Sequence, residues 1–169
     1  SIIWSRLIGS SEEDWGNKIT TSLDGSIYLT GGTKGDLDNQ INNGDWDIFL
    51  TKFNSDGNKV WTKVYGTSNI DRGNGIATDK NGSIYITGLT YGDLDNQINN
   101  GGVDAFITKF NADGTKKWTR ILGSIATDYG ISVTTGINDS IYISGFTEGN
   151  LDNQTNNIET WNLFSNWRH

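Results

Sequence analysis

Three features of this 169-residue chain predict an all-β fold of small, repeated sheets. Trp4, Trp61 and Trp118 stand 57 residues apart, and the units they open align without gaps. Units one and two each hold two Gly-type hairpin turns between short apolar runs, such as Asp24-Gly25 and Asn81-Gly82. No window has the 3.6-residue apolar period of an amphipathic helix. Self-similarity at a fixed period marks repeat architectures. The runs SIYIT and AFITKF carry apolar or small residues on both faces, as strands do in a sheet covered on both sides. Four-stranded sheets repeated and buried in this way are the blades of a β-propeller. A parallel β-helix is the competing reading, but its coils are shorter and lack two such hairpins per unit.

Each unit supplies its strands in the same order. The first is the stretch at 17–21, 74–78 and 131–135. A turn at Asp24-Gly25-Ser26, Asn81-Gly82-Ser83 or Asn138-Asp139-Ser140 follows, because Asp, Asn and Gly accept positive φ. The second strand is SIYLTG, SIYITG or SIYISG, and the third is DIFLTKF (47–53), DAFITKF (104–110) or the altered WNLFSNW (161–167). NSDGN or NADGT then turns into the fourth, KVWTKVYG (59–66) or KKWTRILG (116–123). The chain reads as one domain over 1–169, with repeats 4–60, 61–117 and 118–169.

Composition narrows the function classes. With no Cys, disulfides, thiolate metal sites and cysteine nucleophiles are excluded. A net charge of −7 argues against nucleic acid and anionic membrane as partners, and no apolar run approaches the roughly 20 residues of a membrane span. The absence of Met is expected of a processed or excised chain. The sole His is His169, so a Ser-His-Asp arrangement is poorly supported and no enzyme is expected. Glu12, Glu13 and Asp14 leave a carboxylate-based glycoside-acting enzyme as a distant alternative.

The order I-x-T-x-x-x-G-S-I-Y-I-T-G-x-T-x-G-D-L-D-x-Q, continued by D-A-F-I-T-K-F-N-x-D-G-x-x-x-W-T-R, resembles the SBBP β-propeller repeat over residues 4–157. That resemblance implies the propeller fold and a place in a secreted or cell-surface protein. It implies no activity, since one fold carries many functions.

Ser1–Gly9 (SIIWSRLIG) matches a fourth strand, whereas the last unit stops after a third. The N-terminal strand is therefore expected to complete a last blade. Three blades do not close a ring, since propellers have about four or more. Two chains would give six, each completing its partner's last blade; the alternative is neighbouring blades of a longer chain.

The repeat predicts two unlike rims. Tight turns join strands one to two and three to four. The long loops 34–46, 91–103 and 148–160 share the other rim with the links that carry Asp14-Trp15, Asp71-Arg72 and Asp128-Tyr129. Aromatic and Arg side chains there suit stacking on a carbohydrate or protein ligand, with the aspartates orienting hydroxyls. The competing role is structural: aromatics wedged between blades and aspartates capping turns. Asp36, Asp38, Gln40 and Asn42 alternate along the first long loop, as do Asp93, Asp95, Gln97 and Asn99 along the second, and Asp152 lies in the third. Hard oxygens at such spacing resemble the start of a calcium loop, without its glycine at six or glutamate at twelve. Asx-turns holding the loops in shape are the other reading. The expected function is a structural or assembly scaffold, or a lectin-like, calcium-assisted binding module.

Overall fold

The computed structural model describes residues 1–156 and 163–167. The described residues form eleven strands, β1 (Asp14–Thr21), β2 (Ile27–Thr33), β3 (Asp47–Phe53), β4 (Lys59–Tyr65), β5 (Asp71–Thr78), β6 (Ile84–Thr90), β7 (Asp104–Phe110), β8 (Lys116–Leu122), β9 (Asp128–Thr135), β10 (Ile141–Thr147) and β11 (Leu163–Trp167). A single 3-10 turn, Leu94–Asn96, is the helical exception among the described residues. β1 to β4 and β5 to β8 form antiparallel four-stranded meanders, and β9 to β11 form a three-stranded one. The fold is that of an open partial propeller.

The hairpins explain the strand order, with one difference from expectation. Both turn residues were expected at positive φ. Only the glycine takes it, at Gly25 (80°), Gly57 (76°), Gly82 (81°) and Gly114 (84°). Ser22 accepts from the Gly25 N–H and then pairs with Ser26, which makes a three-residue loop with the glycine left-handed. The first strands begin three residues before the expected start, at Asp14, Asp71 and Asp128, with a register shift at Gly16/Lys18 and Gly73/Gly75.

The blades pack face to face, with the first strands adjacent. Tyr28, Ile48, Leu50, Ile76, Ile86 and Phe106 fill the layer between the first two blades. Tyr85, Ile107, Leu122, Val133, Ile141 and Ile143 fill the next. Burial of each such side chain stabilises by about 1.5–3 kcal/mol. The first strands are also tied together: Thr78 Oγ1 donates to the Thr21 carbonyl and Thr135 Oγ1 to that of Thr78, both at 2.9 Å. Asn17 and Asn74 donate across to the Gly73 and Gly130 carbonyls, also at 2.9 Å. Gly88 must be glycine, because a Cβ would run into the Arg72 carbonyl of the neighbouring strand.

Ser1–Gly9, read as a fourth strand, joins no sheet of this chain. Its placement still follows the repeat. Trp4 lies on Gly57, where a Cβ would come within 2.6 Å of the indole, and Trp61 lies in the same way on Gly114. Arg6 Nε donates to the Gly57 carbonyl at 2.9 Å. The segment thus stands against the first blade where a preceding blade's outer strand would stand. Trp161, the Trp167 side chain and His169 lie outside the described residues.

Candidate functional site

The long loops and the strand-linking segments do meet on one rim. Asp71 N–H donates to the Trp46 carbonyl at 2.7 Å and Asp128 N–H to that of Val103 at 2.8 Å. Trp46 and Ile70 form a parallel bridge, as do Val103 and Thr127.

Within the first long loop, Leu37 and Gln40 exchange backbone bonds at 3.0 and 2.9 Å around Asp38 and Asn39, which sit at φ 53° and 62°. That turn sends the alternating oxygens apart. Asp36 Oδ1 accepts from the Asn42 N–H at 2.9 Å, while Asp38 reaches the outer strand and accepts from Lys59 and Thr62. Asn42 bonds the Thr33 carbonyl and the Gly44 N–H. The second loop repeats this. Asp93 accepts from Asn99 N–H at 2.8 Å, Asn99 donates to the Thr90 carbonyl, the Gln97 N–H donates to the Leu94 carbonyl at 3.0 Å around the left-handed Asp95 and Asn96, and Asp95 accepts from Lys116 and Thr119. Asp152 takes the same left-handed conformation at 48°. Burial pushes the Asp38 carboxyl up, but the Lys59 and Thr62 bonds outweigh it and hold it below the usual range. Among the described residues no group of three acidic or His side chains is placed to hold an ion.

The Asp-aromatic links form the blade junctions. Arg72 lies against both Trp15 and Trp46, its guanidinium carbon 4.8 and 4.3 Å from their ring centres. Trp15 remains 47% exposed, so this stack reaches the surface. At the next junction Tyr129 packs on Phe146, 5.6 Å between centres. The aspartates are turned inward. Asp14 Oδ2 accepts from Ser10 N–H at 2.6 Å, Asp71 Oδ2 from Thr67 N–H at 2.6 Å, and Asp128 Oδ2 from Ser124 N–H at 2.6 Å. The hydroxyls of the same three residues donate to the same oxygens. Asp71 and Asp128 are wholly buried.

Sequence reasoning missed the partners of these aspartates. Asp47 and Asp104 open β3 and β7, are fully buried, and accept from Asn43 N–H at 2.8 Å and Asn100 N–H at 2.6 Å. Asp47 lies beside Asp71, and Asp104 beside Asp128. Burial first, and then the Asp71 charge, pushes the Asp47 carboxyl up to about 6 against the Asn43 bonds. Asp71 and Asp104 are likewise raised by burial. The only signal was an Asp opening both DIFLTKF and DAFITKF, which local pattern cannot distinguish from an ordinary strand start.

Comparison with known proteins agrees with the architecture. Residues 3–38 and 60–95 match the family model described as beta-propeller repeat, SBBP. The chain is 26% identical over 148 residues to "Regulatory protein FlaEY" of Caulobacter vibrioides, an alignment covering 79% of this chain and 16% of that protein. It is 23% identical over 188 residues to "Uncharacterized WD repeat-containing protein L264" of Acanthamoeba polyphaga mimivirus, covering 88% of this chain and 14% of that protein. The chain thus spans about one-seventh of the length of the curated relatives it matches.

Proposed function

This chain carries SBBP beta-propeller repeats, and from that premise we propose that it is a non-enzymatic assembly scaffold whose open blade faces take up further blades. One observation carries this reading. Ile76 of β5 is 4% exposed beneath the preceding blade, while its repeat-mate Ile19 of β1 is 60% exposed. The internal junction shows what covers such a face: another blade of the same repeat. At the opposite end Ser144 is exposed, whereas its counterparts Thr30 and Thr87 are fully buried. A head-to-tail pairing of two copies brings the two faces together, and Ser1–Gly9 supplies a fourth strand to the three-stranded blade. Neighbouring blades of a longer chain would satisfy the same faces, in keeping with relatives far longer than this segment. A secreted or cell-surface protein is the setting the repeat suggests.

Solution mass tests the reading. The intact chain should elute at twice 18.6 kDa, and Ile19→Asp should return it to the monomer with unchanged far-ultraviolet dichroism. A soluble, cooperatively folded monomer of the unaltered chain at high micromolar concentration would overturn it.

The second reading, a carbohydrate- or protein-binding rim, is favoured by the half-exposed Trp15 held by Arg72. Trp15→Ala should then abolish binding in a glycan or protein screen without lowering stability by more than about 1 kcal/mol.

A further inference from the structure

The rim of the first junction carries a cation that the chain leaves uncompensated. Arg72 stands 4.8 and 4.3 Å from the ring centres of Trp15 and Trp46, and those two centres are 5.0 Å apart. The three points form a near-equilateral triangle, so both rings lie to one side of the guanidinium instead of enclosing it. No acidic side chain among the described residues pairs with Arg72, and its buried Nε–H has no acceptor. The neighbouring cation differs. Lys34 Nζ lies 5.2 Å from the Trp46 centre but is paired with Glu13 at 3.2 Å. Ring faces attract a guanidinium without neutralising it. One positive charge therefore remains at this junction, in a chain whose net charge is −7.

Blade packing does not require that charge. At the next junction the repeat-mate of Arg72 is Tyr129, which packs on Phe146, and Val103 stands where Trp46 does. The position is filled there by a neutral ring. Beside Arg72, Trp15 is 47% exposed and offers a flat apolar face next to the charge.

We infer that Arg72 and Trp15 bind an acidic sugar, a hexuronate residue whose ring lies on the exposed indole and whose carboxylate accepts from the Arg72 N–H groups. This rests on the reading of the rim as a binding surface and names its ligand. The planar guanidinium fork matches a carboxylate edge to edge. The C–H face of a sugar ring supplies the apolar surface that an exposed indole stacks against. One uncompensated charge matches one carboxylate. A phosphate monoester, with a charge of about −1.5 to −2, would be left partly unneutralised beside the acidic loops. An aspartate or glutamate of a partner protein has the carboxylate but no ring to cover Trp15.

Calorimetry of the intact chain with oligomers of galacturonate, glucuronate and mannuronate tests this, beside the same oligomers as methyl esters and an acidic peptide. At least one uronate oligomer should bind, and its affinity should fall about tenfold or more as the ester, in Arg72→Gln and in Trp15→Ala. Arg72→Lys should recover only part of the loss, since an ammonium offers no fork. Melting curves establish that the variants fold; should Arg72→Gln not fold, the ester and Trp15→Ala carry the test. Ester binding as tight as that of the acid, lost in Trp15→Ala, overturns the acidic ligand and leaves the rim a binding surface. Uronate binding that survives Arg72→Gln overturns the site. Tighter binding of the acidic peptide overturns the sugar in favour of a protein partner. No uronate binding overturns the inference as well, and the rim reading falls with it only if the glycan and protein screen is also blank.

Discussion

Aspartate does four different jobs in this chain, and each follows from where its neighbours put their N–H groups. Asp24 and Asp79 close the first hairpins, Asp36 and Asp93 shape the long loops, Asp38 and Asp95 tie those loops to the outer strands, and the junction pairs lie buried. Asp79 shows how the neighbours set the charge. Its carboxylate accepts from the N–H of Asn81 and Ser83 and from the Tyr85 hydroxyl, each at 2.9 Å. Burial pushes this carboxyl up, but those bonds win and hold it below 3.8. A carboxyl lowered on folding stabilises above its unfolded value and loses that contribution as pH falls through its folded one. Stability should therefore decline below about pH 4. Asp79→Ala should cost about 1 kcal/mol at neutral pH, its part-exposed position considered, and flatten that decline in denaturant titrations.

At the scale of elements, the third hairpin departs from the other two. Where Gly25 and Gly82 take the left-handed conformation, Asp139 takes it at φ 58°. A side chain there costs about 1 kcal/mol relative to glycine. Asp139→Gly should raise the melting temperature by a few degrees, because the Lys80 ion pair it removes is exposed and worth little. The strands themselves were readable from the residues: SIYIT, AFITKF and their flanking turns sit where the repeat puts them. The Leu37–Gln40 turn was not. Alternation of Asp36, Asp38, Gln40 and Asn42 suggests one side of an extended segment, and only two consecutive left-handed residues, Asp38 and Asn39, send those oxygens in different directions. Ser1–Gly9 has the residues of a strand yet pairs with none here, because strand formation needs a neighbour that composition does not supply.

At the scale of the whole molecule, the repeat provides its own control. Ile19 and Ile76 are the same residue at the same place in two blades, one uncovered and one covered. Ile76→Ala should cost about 2–5 kcal/mol through lost contacts and a cavity. Ile19→Ala should change the unfolding of the dilute, unassociated chain by less than about 0.5 kcal/mol. Paired denaturant melts of the two variants check both. The two-rimmed arrangement could be read from loop lengths alone, since every unit repeats them. The Asp47–Asp71 and Asp104–Asp128 pairs could not, because each joins a third strand to the first strand of the following blade and no local motif records that encounter.

The Trp15–Arg72–Trp46 stack has an optical consequence. Two indoles with centres 5.0 Å apart and planes inclined at 51° are close and skewed enough for their ultraviolet transitions to couple. Coupled chromophores of fixed handedness give a split circular-dichroism band, and it vanishes once the rings move apart. Val103 stands where the second unit would need its own Trp46, so the second junction has no such pair. The molecule thus carries a built-in spectroscopic label on one junction and none on the other, and loosening of the first two blades can be watched separately from that of the last.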